Sequence, residues 1–85
     1  MKHTTYAPKG TCSRQIDFDL GDDGKIYNVA FTGGCHGNTQ GVSRLVEGMD
    51  AQEVLSRISG IQCGVRGTSC PDQLSKAIRQ ALAEA

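Results

Sequence analysis

The chain has 85 residues, with nine basic and nine acidic side chains, no tryptophan, and only two tyrosines and two phenylalanines. A chain of this length forms one domain with a modest core, because it buries only about 60–65% of its unfolded surface. The balanced charge and the scarcity of aromatic rings disfavour a general nucleic-acid binder. The N-terminus carries no apolar signal segment and no stretch approaches 18 apolar residues, so we expect a cytoplasmic protein outside the membrane, with reduced thiols.

The first part of the chain predicts a β-hairpin preceded by a short arm. Residues 1–9 are polar, and Pro8 and Gly10 break any regular element, so this segment is predicted as an N-terminal arm. Apolar and polar side chains then alternate over 11–20 and again over 25–31, which is typical of half-buried strands. The sequence Gly-Asp-Asp-Gly between the two runs is typical of a turn.

The register of this hairpin decides where the first two cysteines lie. If Leu20 pairs with Lys25, then Cys12 faces Gly33 on the apolar side of the hairpin. Directly opposite residues share a face and are close at Cβ. Cys35 follows two residues after Gly33 and stays on that face if the strand remains extended. A slip of one residue would remove this convergence.

Three helices are predicted after the hairpin. The first covers about 36–47, and the second is capped by Asp50 and closed by Gly60. In the third, Pro71 suits the first helical position, which makes Cys70 the N-cap. Its predicted buried stripe is Leu74, Ala77, Ile78, Ala81 and Leu82. The predicted fold is therefore a single α+β domain over 1–85, with a two-stranded or three-stranded antiparallel hairpin packed on three helices in the order ββααα.

All four cysteines lie at the ends of predicted elements, outside the apolar helical stripes: Cys12, Cys35, Cys63 and Cys70. Helix N-termini carry a partial positive charge that favours a thiolate. Four thiolates suit tetrahedral zinc or an iron–sulfur cluster. The spacing contains no C-x-x-C pair and is not that of a zinc finger. Free cysteines can also simply fill a core, so the two interpretations remain alternatives at this point.

The glycine-rich start of the first helix is a second candidate site. Backbone N–H groups at a helix N-terminus can hold a phosphate or another small ligand, and the candidate residues there are Gly34, His36, Gly37 and Asn38. The segment is not a P-loop, since the required Lys and Ser/Thr are absent. The glycines also serve a sharp turn from strand to helix. No pattern indicates a catalytic residue.

The run at 67–72, Gly-Thr-Ser-Cys-Pro-Asp, resembles the signature of the TSCPD domain. The segments 33–38, 41–48 and 60–63 are similar to the same family, and the resemblance extends from Tyr6 to Leu82. It implies a small, stand-alone, four-cysteine member. The domain also occurs at the C-terminus of B12-dependent ribonucleotide reductases. A chain of 85 residues is too short for the barrel of such an enzyme. A ribonucleoside-diphosphate reductase activity would therefore be assigned to it only through the resemblance of this domain. Whether the chain is an enzyme stays open.

A weaker similarity is to the U-type scaffold proteins of iron–sulfur cluster assembly, in which Cys35 and Cys70 match two ligand positions. The histidine that usually precedes the late cysteine is Ser69 here. Together the resemblances imply a metal-binding domain with zinc or an iron–sulfur cluster. The implied partner is a ribonucleotide reductase or a cluster-assembly protein, and a homodimer remains an option. The alternatives are a thiol-redox module that cycles two of its cysteines and a small-ligand or nucleotide-binding domain.

Overall fold

Three antiparallel strands precede three helices in the computed structural model, which describes residues 1–11, 13–33, 36–62 and 67–84. The strands form one sheet in the order β1-β2-β3. The elements are β1 (Lys2–Tyr6), β2 (Ser13–Leu20), β3 (Ile26–Gly33), α1 (His36–Val46), α2 (Ala51–Ile58) and α3 (Cys70–Glu84). The predicted α+β class and the three-stranded form of the sheet are confirmed.

Strand β1 replaces most of the arm predicted for residues 1–9. It pairs antiparallel with β2, from Lys2 opposite Leu20 to Tyr6 opposite Ile16. Its central Thr4 is buried, and threonine and tyrosine are common in strands. The segment is short and mostly polar, so its alternation gives no signal in the sequence. Pairing with a strand more than ten residues away makes it regular.

The turn between β2 and β3 shifts the hairpin register by one residue from the prediction. Leu20 pairs with Ile26 rather than with Lys25. The turn is closed by the Gly21 N–H, which donates to the Lys25 carbonyl oxygen at 2.9 Å. Lys25 therefore belongs to the turn rather than to the paired strand, and the predicted pairing of Leu20 with Lys25 is wrong.

A bulge in β3 interrupts the predicted alternation of that strand. Asn28 has a positive φ of 57°, a conformation that asparagine tolerates better than most residues. Its amide donates to the Asp19 carboxylate at 2.9 Å. The extra residue turns Ile26 and Val29 into the core and leaves Tyr27 outside the core cluster.

A second bulge lies at the start of β2 and changes which side chains face the helices. Gly33 pairs with Ser13, and a register shift follows Ser13 directly, so Arg14 is the extra residue. Ser13 is 4% exposed and shares the inner side with Ile16, against the usual alternation. The predicted pairing of Gly33 with Cys12 is wrong, and Cys12 itself lies outside the described residues.

The helices cover one face of the sheet and complete one apolar cluster. Its members come from β2, β3 and all three helices: Ile16, Phe18, Leu20, Ile26, Val29, Val46, Ala51, Val54, Leu74, Ala77, Ile78 and Ala81. The α3 members confirm four of the five residues of the predicted stripe, and Leu82 packs at its margin. Over the described ranges, no helix is long and apolar enough to cross a membrane.

The outer face of the sheet carries a polar network across all three strands. His3 Nδ1 lies 2.7 Å from Asp19 Oδ1, and Nε2 lies 3.3 Å from Asp17 Oδ1. The Thr5 hydroxyl donates to Asp17 at 2.7 Å. The hydrogen bond with Asp19, followed by that with Asp17, raises the pKa of His3. The amide of Asn28 and then His3 lower the pKa of Asp19.

Candidate thiolate site at the start of helix α3

Helix α3 begins one residue earlier than the sequence predicts, at Cys70 rather than at Pro71. The Ser69 carbonyl oxygen accepts the Gln73 N–H at 2.8 Å, and the Ser69 hydroxyl oxygen accepts the Asp72 N–H at 3.2 Å. Ser69 is therefore the N-cap. Cys70 is the first helical residue and Pro71 the second, so the predicted cap at Cys70 is wrong. A hydroxyl accepts hydrogen bonds better than a thiol does.

The carboxylate of Asp72 joins the start of α3 to the end of α2. It accepts the Gly60 N–H at 2.7 Å on Oδ1 and the Thr68 hydroxyl at 2.6 Å on Oδ2. Asp72 is 7% exposed. The Thr68 hydrogen bond, followed by the Gly60 N–H and the nearby Lys76 ammonium, lowers the pKa of Asp72 and outweighs the opposing effect of burial. Asp72 is therefore held as a charged acceptor at neutral pH.

Thr68 and Gln73 connect the same region to the β1–β2 connection. The Gln73 amide donates to the Thr68 hydroxyl oxygen at 2.9 Å and accepts the Lys9 N–H at 3.1 Å. Gly10 has a φ of 78°, and a Cβ added there would lie 2.9 Å from Thr68 Cγ2. Close contact with Thr68 and a left-handed backbone both require glycine at this position.

Ser69 adds a contact to the segment after α2. Its hydroxyl donates to the Ile61 carbonyl oxygen at 2.6 Å. We call Thr68, Ser69, Asp72 and Gln73 the signature cluster. All four are buried, and between them they bond to the residues after α2 and to the β1–β2 connection. The polar residues of the signature thus hold the backbone around Cys70 in place.

Cys70 is half-buried and is a free thiol within the described part of the chain. Its Sγ lies 2.9 Å from the Ser13 hydroxyl oxygen, and either atom can be the donor. The first-turn position exposes the sulfur to the unpaired N–H groups and partial positive charge of a 15-residue helix. A thiol in this position is open to a metal ion or to a partner molecule on its exposed side.

The other predicted cysteines, and one predicted ligand-binding glycine, lie outside the described residues: Cys12, Cys35, Cys63 and Gly34. Within the described residues no group of three or more His, Cys, Asp and Glu side chains could hold a metal ion. Since Cys70 alone of the four predicted cysteines belongs to that part, the four-cysteine site stays a prediction.

The remaining candidates of the glycine-rich segment belong to the first turn of α1. His36, Gly37 and Asn38 are the first three helical residues, as the sequence predicts. Gly37 is exposed, and a Cβ added there would meet nothing within 4 Å. An open groove of about 290 Å³ runs beside this helix, between α1 and β3, with Arg44 at its edge. Whether a ligand binds at this helix start stays a prediction.

Sequence reasoning missed the residues that surround Cys70 from other parts of the chain. Ser13 contacts it across 57 positions, and Lys9 reaches Gln73 across 64. Neither contact belongs to a local motif, and the Arg14 bulge hides the inward direction of Ser13. Gly10 was a local signal of the close approach to Thr68, but in the sequence it was interpreted as a break in regular structure.

Fold and site together define a small α+β domain in which a half-buried cysteine opens a helix, between buried threonine, serine, proline and aspartate residues of a Thr-Ser-Cys-Pro-Asp run. The family model of the TSCPD domain matches residues 1–82, nearly the whole chain. The chain belongs to the TSCPD domain family, as its signature predicts, and the match includes β1. Searches of curated proteins and of solved structures find no match.

Proposed function

We propose that this TSCPD domain binds a metal, as zinc or an iron–sulfur cluster, through the thiolates of Cys12, Cys35, Cys63 and Cys70. The observation that supports it most is the setting of Cys70, a half-buried thiol in the first turn of α3 whose flanking residues are fixed by buried hydrogen bonds. A cysteine whose backbone is already fixed loses little freedom when it binds a metal. Four soft thiolates suit either zinc or an iron–sulfur cluster.

Covalent distances support the convergence of two more cysteines on Cys70. Ser13, which contacts the Cys70 sulfur, is bonded to Cys12, and consecutive Cα atoms are about 3.8 Å apart. Ser13 also pairs with Gly33. Cys35 follows Gly33 by two residues, a span of at most about 7 Å. These short spans allow both cysteines to reach the Cys70 thiol, which supports the proposal.

The chain also limits how far Cys63 can be from the start of α3. The Ile61 carbonyl oxygen accepts the Ser69 hydroxyl at 2.6 Å, and Ser69 precedes Cys70 directly. Cys63 follows Ile61 by two residues, again within about 7 Å. The described residues nearest to the other three cysteines are thus connected to this helix start, Ser13 and Ile61 directly and Gly33 through its pairing with Ser13.

A closed four-thiolate site would add stability to a domain whose core is small. We propose accordingly that the site is structural or cluster-carrying, and that the domain serves as an accessory to a partner rather than as a catalyst. The resemblance to the domain appended to ribonucleotide reductases and the weaker one to cluster scaffolds make those two protein classes the proposed partners.

The half-exposed thiol of Cys70 also supports a second candidate, a thiol-redox module. In that function two thiols of the domain would reduce a partner disulfide by exchange, so that the pair becomes a disulfide while the partner gains two thiols. Such a pair needs an accessible thiol, and the half-exposed Cys70 is the described cysteine that offers one.

Anaerobic purification followed by metal analysis, a visible spectrum and a thiol count separates these functions. We expect about one zinc or one cluster per chain, and four thiols that react only after a chelator is added. Cys70→Ser should lose metal while circular dichroism checks the fold, and Ser56→Ala, an exposed change on α2, is the control. Two reactive, interconverting thiols and no metal would favour the redox module. Four freely reactive thiols would refute both.

A further inference from the structure

We propose that Ser13 is a positioning residue of the thiolate site, whose buried hydroxyl donates a hydrogen bond to the Cys70 thiolate and sets how tightly that thiolate holds its metal. This inference rests on the proposed metal-binding function. Ser13 belongs neither to the signature nor to the cysteine pattern.

The contact is close, and its hydroxyl side is buried. Ser13 is 4% exposed, and its Oγ lies 2.9 Å from Cys70 Sγ. A buried hydroxyl without a partner costs free energy, so the pair of Ser13 with Cys70 satisfies a group that solvent does not reach. The distance is short for a sulfur acceptor, which fits a strong interaction.

The direction of this hydrogen bond depends on the state of the sulfur. With a neutral thiol, either atom can donate. A metal-bound thiolate has no proton, so only the Ser13 hydroxyl can donate in the loaded protein. The bond to a charged sulfur is then stronger than the bond to the thiol. Ser13 therefore stabilises the loaded state more than the empty one.

The backbone explains why a strand residue reaches the start of a helix. In regular alternation from Ile16, the Ser13 side chain would lie on the outer face of the sheet. The extra residue at Arg14 turns it inward instead. Ser13 then lies between Cys70 and its own strand partner Gly33, and it is bonded to Cys12. The residue thus connects Cys70 to the described end of β3 at Gly33.

The effect on the metal follows from the electron density at sulfur. A donated hydrogen bond lowers the energy of the sulfur lone pair, so the sulfur gives up electron density less readily, as in iron–sulfur proteins. In a Co²⁺-loaded protein its removal should move the sulfur-to-cobalt charge-transfer band to longer wavelength. Loss of such a supporting partner typically weakens metal binding about 10-fold or more.

The test is an anaerobic Co²⁺ titration of the full chain, with Zn²⁺ competition, for wild type and four variants. Ser13→Ala should bind about 10-fold more weakly and show the red-shifted band. Ser13→Thr and Ser13→Val have the same shape and differ in the hydroxyl, so the threonine variant should keep the wild-type band and the valine variant should shift it. Ser75→Ala is the matched control, since Ser75 is fully buried but donates to the Asp72 carbonyl oxygen instead.

The outcomes separate the inference from the function on which it rests. A shifted band in Ser13→Ala and Ser13→Val, with wild-type bands in Ser13→Thr and Ser75→Ala, supports the hydrogen bond. Weaker binding with an unmoved band would show that Ser13 only fills space and would overturn the inference. If Ser13→Ala does not fold, the threonine and valine pair decides alone. A wild-type protein that binds no Co²⁺ would refute the proposed function, and the inference with it.

Discussion

Replacement of Asp72 by asparagine tests whether the signature cluster depends on a charged acceptor. The carboxylate accepts hydrogen bonds at 2.7 Å from the Gly60 N–H and at 2.6 Å from the Thr68 hydroxyl, and its side chain is 10% exposed. Asparagine has nearly the same shape but one acceptor oxygen. It can keep the bond from Gly60, and its NH₂ group then faces the Thr68 hydroxyl.

The expected loss follows from these two contacts. A hydrogen bond to a charged group contributes about 1.5–3 kcal/mol, and Asp72→Asn removes the charge from one and eliminates the other. The Lys76 ammonium, 3.9 Å away and half-exposed, adds little. We expect the free energy of unfolding to fall by about 2 kcal/mol, which is roughly a quarter of the stability of a domain this size.

Urea unfolding at several pH values is the assay. With a slope of about 1 kcal/mol per molar urea, the midpoint should fall by about 2 M. Hydrogen bonds lower the pKa of Asp72 in the folded state, so its stabilisation is present above the unfolded value of about 3.9 and is lost as pH falls through the folded value. The difference between wild type and Asp72→Asn should be constant above about pH 5 and narrow below about pH 4.

Asp22→Asn makes the same chemical change at a fully exposed side chain and is the control. It should change stability by less than about 0.5 kcal/mol. Equal stabilities of the two variants would refute the role of the buried carboxylate. A wild-type advantage over Asp72→Asn that persists undiminished to about pH 2 would show that shape, rather than charge, is responsible.

Three further predictions concern the backbone and the outer face of the sheet. Gly10→Ala should cost about 1–3 kcal/mol in urea unfolding, because it combines a φ of 78° with a Cβ 2.9 Å from Thr68 Cγ2; a neutral result would contradict this geometry. Asn28→Ala should be about 1 kcal/mol less stable than Asn28→Gly, since both lose the bond to Asp19 but glycine accepts the positive φ, and equal unfolding midpoints would contradict that reasoning. In an NMR titration the pKa of His3 should lie above 6.5 and should fall in Asp19→Asn. An unchanged His3 pKa in that variant would contradict the hydrogen bond between the two side chains. The stabilisation by His3 should be complete below about pH 6 and disappear as pH rises through its folded pKa.

Elements with local signals were predictable from the sequence. The second helix shows its start in Asp50, whose carboxylate accepts the N–H groups of Gln52 and Glu53, and α3 shows its buried face in apolar spacing. Strand β1 has no such signal, because five mostly polar residues become regular only by pairing with β2. The predicted hairpin register was wrong because the register depends on a turn hydrogen bond and on two bulges. The alternation of apolar and polar residues does not indicate either feature.

The candidate site likewise has parts that the sequence predicts and parts that it does not. The position of Cys70 at a helix start was predictable from the proline that follows it, although competition between a hydroxyl and a thiol moved the cap to Ser69. The carboxylate of Asp72 bonds residues 4 and 12 positions away, and these contacts could not be inferred from composition or periodicity. Ser13 was the least predictable residue of the site, because its side chain faces inward only as a result of the bulge at Arg14.

The residues of the signature cluster fix the backbone at the start of α3 without using the Cys70 thiol. Thr68, Ser69 and Asp72 act through hydroxyl and carboxylate oxygens on backbone and side-chain partners, and none of those bonds involves the sulfur of Cys70. A serine at position 70 would leave every one of them in place. A chain can therefore keep four of the five signature letters and the whole helix start while exchanging a thiol for a hydroxyl. In such a chain the signature would still identify the fold, while the soft thiolate that the proposed metal site requires from this position would be absent.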